Sequence, residues 1–257
     1  MNRNIKTPIG LEAIVERVEE ICSNSAGHYR CGISPNHFLI NLDKGNGQTT
    51  LTSYIADAFQ EYGVRHFGGL DTYIEYTLDG SMTQLEDIFD YINNSAAVYT
   101  NEYEGVIAMD VTALAAPGNA AQMAFFLKEI AHIGEHATFV FYVPAVINSS
   151  IANLIKKIRE VFHNRDIEVI KVDAYSEQNL VEIIKEMLEE AGVEVVGDVD
   201  DCIMNILRFE GASTIKDAKY LTKVMIKNAD FSSFMPEITA EIIGMSFESF
   251  MEKKEVK

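Results

Sequence analysis

The stretch Phe38-Leu39-Ile40-Asn41-Leu42-Asp43-Lys44-Gly45-Asn46-Gly47-Gln48-Thr49-Thr50-Leu51 decides how the rest of the chain reads. An apolar run, a turn with two glycines and a polar helix start follow one another, which predicts a buried strand, a tight loop and a helix. This is the layout of a nucleotide phosphate-binding loop, whose consensus G-x-x-x-x-G-K-[ST] would place glycine at 42 and lysine at 48. The chain has Leu42 and Gln48 there, keeps Gly47 and Thr49, and adds Gly45. The scaffold that aims backbone N–H groups and a helix N-terminus at an anion is thus retained. The cation that would hold the β- and γ-phosphates is missing.

Composition narrows the field. A chain of 257 residues with 47% hydrophobic content can bury a large core, and one large domain plus a small one is expected. No apolar run approaches the roughly 18 residues of a membrane span, and residues 1–10 lack an apolar signal core. Cys22, Cys31 and Cys202 are odd in number and form no C-x-x-C pair, which suits a reduced, cytoplasmic protein. A net charge of −18 argues against broad electrostatic binding to nucleic acid, which needs clustered Lys and Arg. The short basic run Lys156-Lys157-Ile158-Arg159 reads as a solvated helix face.

Strand-like and helix-like segments alternate along the first two thirds. Helices are expected over Leu11–Ser23, Thr49–Tyr62, a segment opened by a Thr83-x-x-Glu86 capping box and running to about Ala96, Asn119–Ile133, and the stripe Ile151, Leu154, Ile155, Ile158, Phe162. Strands are expected over His37–Leu42, Thr72–Leu78, Gly105–Val111, Ala137–Val143 and Ile167–Val172. Short apolar strands separated by helices imply an α/β fold, a five-stranded parallel sheet with helices on both faces. After Asp173 the strand signal fades. Helical patterns begin at Leu180, Asp200 and Thr214, forming a small all-helical domain, and Pro236–Lys257 reads as a loosely attached tail helix. The expected division is 1–173, 174–235 and 236–257.

Over about residues 7–228 the chain resembles the AAA+ ATPases. Ile9-Gly10-Leu11-Glu12 looks like the family's N-terminal segment beside the adenine. Phe38–Leu51 is similar to its Walker A region, and Gly105-Val106-Ile107-Ala108-Met109-Asp110 to its Walker B strand. Tyr175–Ile184 resembles the family's passage into its helical lid, and the order of elements agrees throughout. The resemblance implies ATP or ADP held by Gly10, Lys44, Gly45, Asn46, Gly47, Gln48, Thr49, Thr50 and Lys216, with Mg²⁺ on Thr49 and Asp110. It also implies assembly, because the family usually places its nucleotide between neighbouring subunits.

The departures from that pattern fall on the chemistry. Gln48 donates hydrogen bonds but carries no charge, and catalysis in P-loop enzymes is largely charge stabilisation around phosphate and Mg²⁺. Val111 stands where the family has a water-orienting Glu, and a valine cannot orient or deprotonate water. A polar sensor is not evident in Phe141-Tyr142-Val143-Pro144; Asn148 is the nearest candidate. The sensor Arg expected near Gly211–Lys216 is absent, and Lys216 would substitute only in a shifted register. Lys44 could reach a phosphate from the other side of the loop, and Arg159 and Arg165 occupy the interval of an arginine finger. No catalytic residue is assigned.

One competing motif is His132-Ile133-Gly134-Glu135-His136, an H-x-x-E-H match to zinc proteases. Gly134 in its middle and the strand right after it favour a helix C-terminus instead. The leading reading is a degenerate AAA+-like protein, weakly binding ATP or ADP with little or no hydrolysis. It would be a structural or regulatory subunit, assembling with itself or with AAA+ partners. An active, atypical ATPase remodelling protein or nucleic-acid complexes is the second reading. An interaction module without nucleotide is the third.

Overall fold

The computed structural model describes residues 7–29, 37–64, 73–94, 105–134, 137–163, 166–230 and 236–244. They fall into two compact units, Met1–Val172 and Asp173–Lys257.

The first unit is built on five parallel strands: β1 His37–Asn41, β2 Tyr73–Thr77, β3 Val106–Asp110, β4 Thr138–Val143 and β5 Ile167–Lys171. Their spatial order is β2-β3-β4-β1-β5. Every residue of β1 and β4 is buried, as continuous apolar runs in the middle of a two-sided sheet should be. The edge strands β2 and β5 expose alternate positions.

Helices cover both faces. Leu39, Ile107, Phe139, Phe141 and Val143 form one core with side chains of α3 Met82–Asn94, α4 Ala120–Ile133 and α5 Ser149–Val161. On the other face lie α1 Glu12–Tyr29 and α2 Gln48–Glu61, with the Phe59 ring 6.0 Å from that of Phe38. His37 is a core residue. Its Nδ1 accepts the Phe139 N–H at 3.0 Å and its ring lies 4.0 Å from that of Phe162.

Three local expectations change. α1 runs six residues beyond Ser23, to Tyr29. α3 opens at Met82 rather than at Thr83, because Ser81 Oγ accepts the Gln84 N–H at 3.2 Å while Gln84 Oε1 accepts the Asp79 N–H at 2.7 Å. A serine two residues upstream therefore supplies the cap that Thr83 was expected to give. Residues 236–244 begin not as helix but as β7 Glu237–Ile238, with Ile238 and Ile243 fully buried.

In the second unit, α6 Glu177–Glu190 packs against both α7 Asp200–Glu210 and α8 Ile215–Asn228. Ser176 and Asn179 cap α6 reciprocally, and Thr214 and Asp217 do the same for α8. To these helices the unit adds a short parallel pair, β6 Glu194–Val195 with β7.

Candidate phosphate-binding site

The site begins where β1 leaves the sheet. Leu42 N–H donates to Val143 O at 2.9 Å, prolonging the β1·β4 ladder by one residue. The Leu42 side chain is buried in the core, so its bulk does not fill the loop. A turn follows, closed by Asn46 N–H on Asp43 O at 3.1 Å. Gly45 and Gly47 then take φ of 91° and 92°, a left-handed geometry that side chains resist. Gly47 is the N-cap of α2, and no side chain caps the helix. The first helical bond runs from Leu51 N–H to Gly47 O, so the amides of Gln48, Thr49 and Thr50 have no acceptor within the helix. Asp43, Lys44, Gly45, Thr49 and Thr50 are exposed, with Asn46, Gly47 and Gln48 half-buried. Amides with no helical acceptor at a positive helix end form an anion cradle.

Replacing Gly47 by Ala tests how far the cradle depends on that backbone. The left-handed N-cap should cost the variant about 1–2 kcal/mol of stability. A melting curve superimposable on the parent's would show that the turn tolerates a Cβ.

Gln48 turns away from the open side of the loop. Its Nε2 donates to Leu42 O at 2.8 Å, bridging the loop's two ends. The amide thereby latches the loop shut without supplying charge.

Asp110 ends β3. β4 lies between β3 and β1, so Asp110 and the loop share the carboxyl edge of the sheet, with strand axes about 10 Å apart. This is the edge where parallel α/β sheets bind ligands. Asp110 Oδ1 accepts the Thr112 N–H at 3.0 Å. Val111 points the other way: it is fully buried in the core with Leu78, Leu114 and Ile151.

Residues that the sequence did not single out tie the loop down. Asn41 Nδ2 donates to Pro144 O at 3.2 Å, and Asp43 Oδ1 accepts the Ala145 N–H at 3.1 Å. Beneath α2, Tyr142 Oη donates to Gln48 O at 2.9 Å and lies 2.8 Å from Thr52 Oγ1. Burial pushes the Tyr142 phenol well above its ordinary range, so it stays protonated.

No family model and no curated protein matches the chain. Solved structures do. RuvB from Thermotoga maritima, described as a Holliday junction branch migration motor, superposes with a TM-score of 0.61 at 17% identity, covering 96% of this chain and 73% of that one. Two variants of the same protein superpose with TM-scores of 0.63 and 0.61, each at 18% identity over the same shares. The chain shares the fold of RuvB.

In that fold the remaining sequence candidates take these places. Gly10 N–H donates to Glu12 Oε1 at 2.7 Å, just ahead of α1. Lys216 is exposed in the first turn of α8, in the second unit. Asn148 is not aimed at a ligand: it is the N-cap of α5, accepting the Ile151 N–H at 2.9 Å. Arg159 sits in the last turn of α5 with its Nε buried and without an acceptor among the described residues; Arg165 lies outside them. In the run Lys156–Arg159, Lys156 is exposed and pairs with Glu160 while Ile158 is buried, as a solvated helix face interrupted by its apolar stripe requires.

In the zinc-like motif His132 is exposed in the last turn of α4, while Glu135 and His136 lie outside the described residues. Gly134 is there for space. A Cβ on it would come within 2.6 Å of the Phe162 ring and 2.8 Å of Ile130 O. No group of His, Cys, Asp and Glu among the described residues is arranged to hold a metal. No described helix is long and apolar enough to cross a membrane.

Proposed function

We propose that this chain is a degenerate AAA+-fold protein that binds ADP or ATP weakly, hydrolyses it little or not at all, and serves as a structural or regulatory subunit of an assembly. The observation that carries this reading is Gln48, whose neutral amide is spent on Leu42 O where a P-loop enzyme would extend an ammonium to phosphate. The amides of Gln48, Thr49 and Thr50, with the turn at Gly45 and Gly47, are the phosphate-binding groups in this reading. Lys44 and Asn46 flank them. Gly10 is assigned to the nucleoside end.

The Thr49 hydroxyl and the Asp110 carboxylate are hard oxygen donors of the kind Mg²⁺ shares with phosphates, so they fit that ion. Bound there, Mg²⁺ would neutralise phosphate charge that Gln48 cannot. Residues 1–173 would be the nucleotide domain and the unit that follows, β7 included, the lid. Assembly would be with further copies or with AAA+ partners, in the cytoplasm. The DNA role in RuvB's description is not carried over: a net charge of −18 opposes phosphate backbones.

A thermal-shift titration tests the binding. ADP at about ten times its Kd should stabilise the protein by about 1.4 kcal/mol, raising Tm by roughly 3–6 °C. Gln48→Lys should tighten ADP about tenfold or more through a charge-assisted contact. No shift with any nucleotide, with or without Mg²⁺, in either protein would leave an interaction module without nucleotide as the function.

A further inference from the structure

The Gln48 carbonyl is the meeting point of three groups. It is the helical acceptor for the amide four residues on, and both Thr52 Oγ1, at 3.0 Å, and Tyr142 Oη, at 2.9 Å, reach it. The two hydroxyls are themselves 2.8 Å apart. They hold two protons for three contacts. Either Thr52 donates to Tyr142 and Tyr142 to the carbonyl, or the chain runs in the opposite order. In both cases one hydroxyl proton rests on Gln48 O and the second hydroxyl strengthens that bond cooperatively.

The same peptide unit carries the N–H of Thr49, one of the amides with no helical acceptor. Drawing electron density onto Gln48 O makes that N–H a stronger donor. A buried pair of hydroxyls that delivers a proton to a loop carbonyl in either order is more than a space filler.

We propose that Tyr142 and Thr52 are positioning residues that polarise the Gln48–Thr49 peptide toward a bound phosphate, in part replacing the charge absent at Gln48. The inference rests on the phosphate site proposed above and names the residues that tune its affinity. Neither side chain touches the ligand; both act through the peptide. Phe at 142 keeps the ring in the core, and Val at 52 keeps the shape, so neither leaves an orphaned carbonyl, because the helical bond to Gln48 O remains.

The test is calorimetry with ADP and Mg²⁺ on the parent, Tyr142→Phe, Thr52→Val and the double variant, together with the amide proton shift of Thr49 in ¹⁵N-labelled protein. Each single variant should weaken ADP about two- to threefold, and the double variant about five- to tenfold, one hydrogen bond's worth. The Thr49 amide proton should move upfield in the same order, which a merely structural role would not produce. Equal ADP affinity and an unmoved Thr49 amide in the double variant would overturn the inference while leaving the binding site intact. Failure of the parent to bind ADP would overturn both. Should Tyr142→Phe not fold, Thr52→Val alone decides by the same two readouts.

Discussion

Val111→Glu, the substitution that would restore a water-orienting carboxylate on paper, is expected to unfold much of the protein. Val111 has no exposed surface and belongs to the same core as Leu78, Leu114 and Ile151. A glutamate there adds atoms to a filled space and buries a carboxyl without a partner. The two effects together should cost about 3–6 kcal/mol, against a total stability of roughly 5–15 kcal/mol. The sign of the pH dependence follows from burial. The buried carboxyl would have a folded pKa above its unfolded value, so the unfolded chain releases its proton first as pH rises. Stability therefore falls with rising pH once the ordinary carboxylate range is passed, and the variant should melt lower at pH 8 than at pH 5. A variant melting within about 2 °C of the parent at pH 8 would mean that the side chain can turn toward the phosphate site. The lesion at 111 is one of direction as well as residue type.

The second large effect is on turnover. Loss of the ammonium's charge stabilisation and of water orientation should each cost on the order of a hundredfold or more. Set against a typical enzymatic rate of about 10 per second, the parent should hydrolyse ATP at roughly 0.001 per second or slower. Gln48→Lys alone should improve binding far more than turnover, because Val111 leaves the attacking water unplaced. The rate is checked by phosphate release under saturating ATP and Mg²⁺.

The sequence carried the local features of this site and lost the long-range ones. The strand, the glycine turn and the helix at Phe38–Leu51 were legible because each is a property of a few adjacent residues. The parallel α/β arrangement followed from apolar runs spaced by helices. Residue type at 48 and 111 was also plain. Side-chain direction was not: Val111 follows the last residue of β3 and leads into the 3₁₀ turn Thr112–Ala115, and only that geometry sends it into the core.

Nothing local to Phe141-Tyr142-Val143-Pro144 marks Tyr142, because its partner Gln48 lies 94 positions away. Asn148 looked like a sensor and is a helix cap, since Asn serves both uses equally well. Thr83 matches the capping-box spacing, but Ser81 caps α3, through the bonds that Gln84 makes with Ser81 Oγ and the Asp79 N–H. Gln48 shows the same limit. Its neutrality was readable, but its latch onto Leu42 O depends on how the loop closes.

A site that holds nucleotide and does not cleave it is what would set this chain apart from an active P-loop enzyme. The most direct measurement is a single-turnover experiment with radiolabelled ATP and Mg²⁺ against excess protein, separating bound nucleotide and then resolving ATP from ADP. The expected result is a bound fraction that rises with protein concentration and is recovered as ATP after many minutes. Conversion of bound ATP to ADP within seconds, abolished by Asp110→Ala, would contradict it.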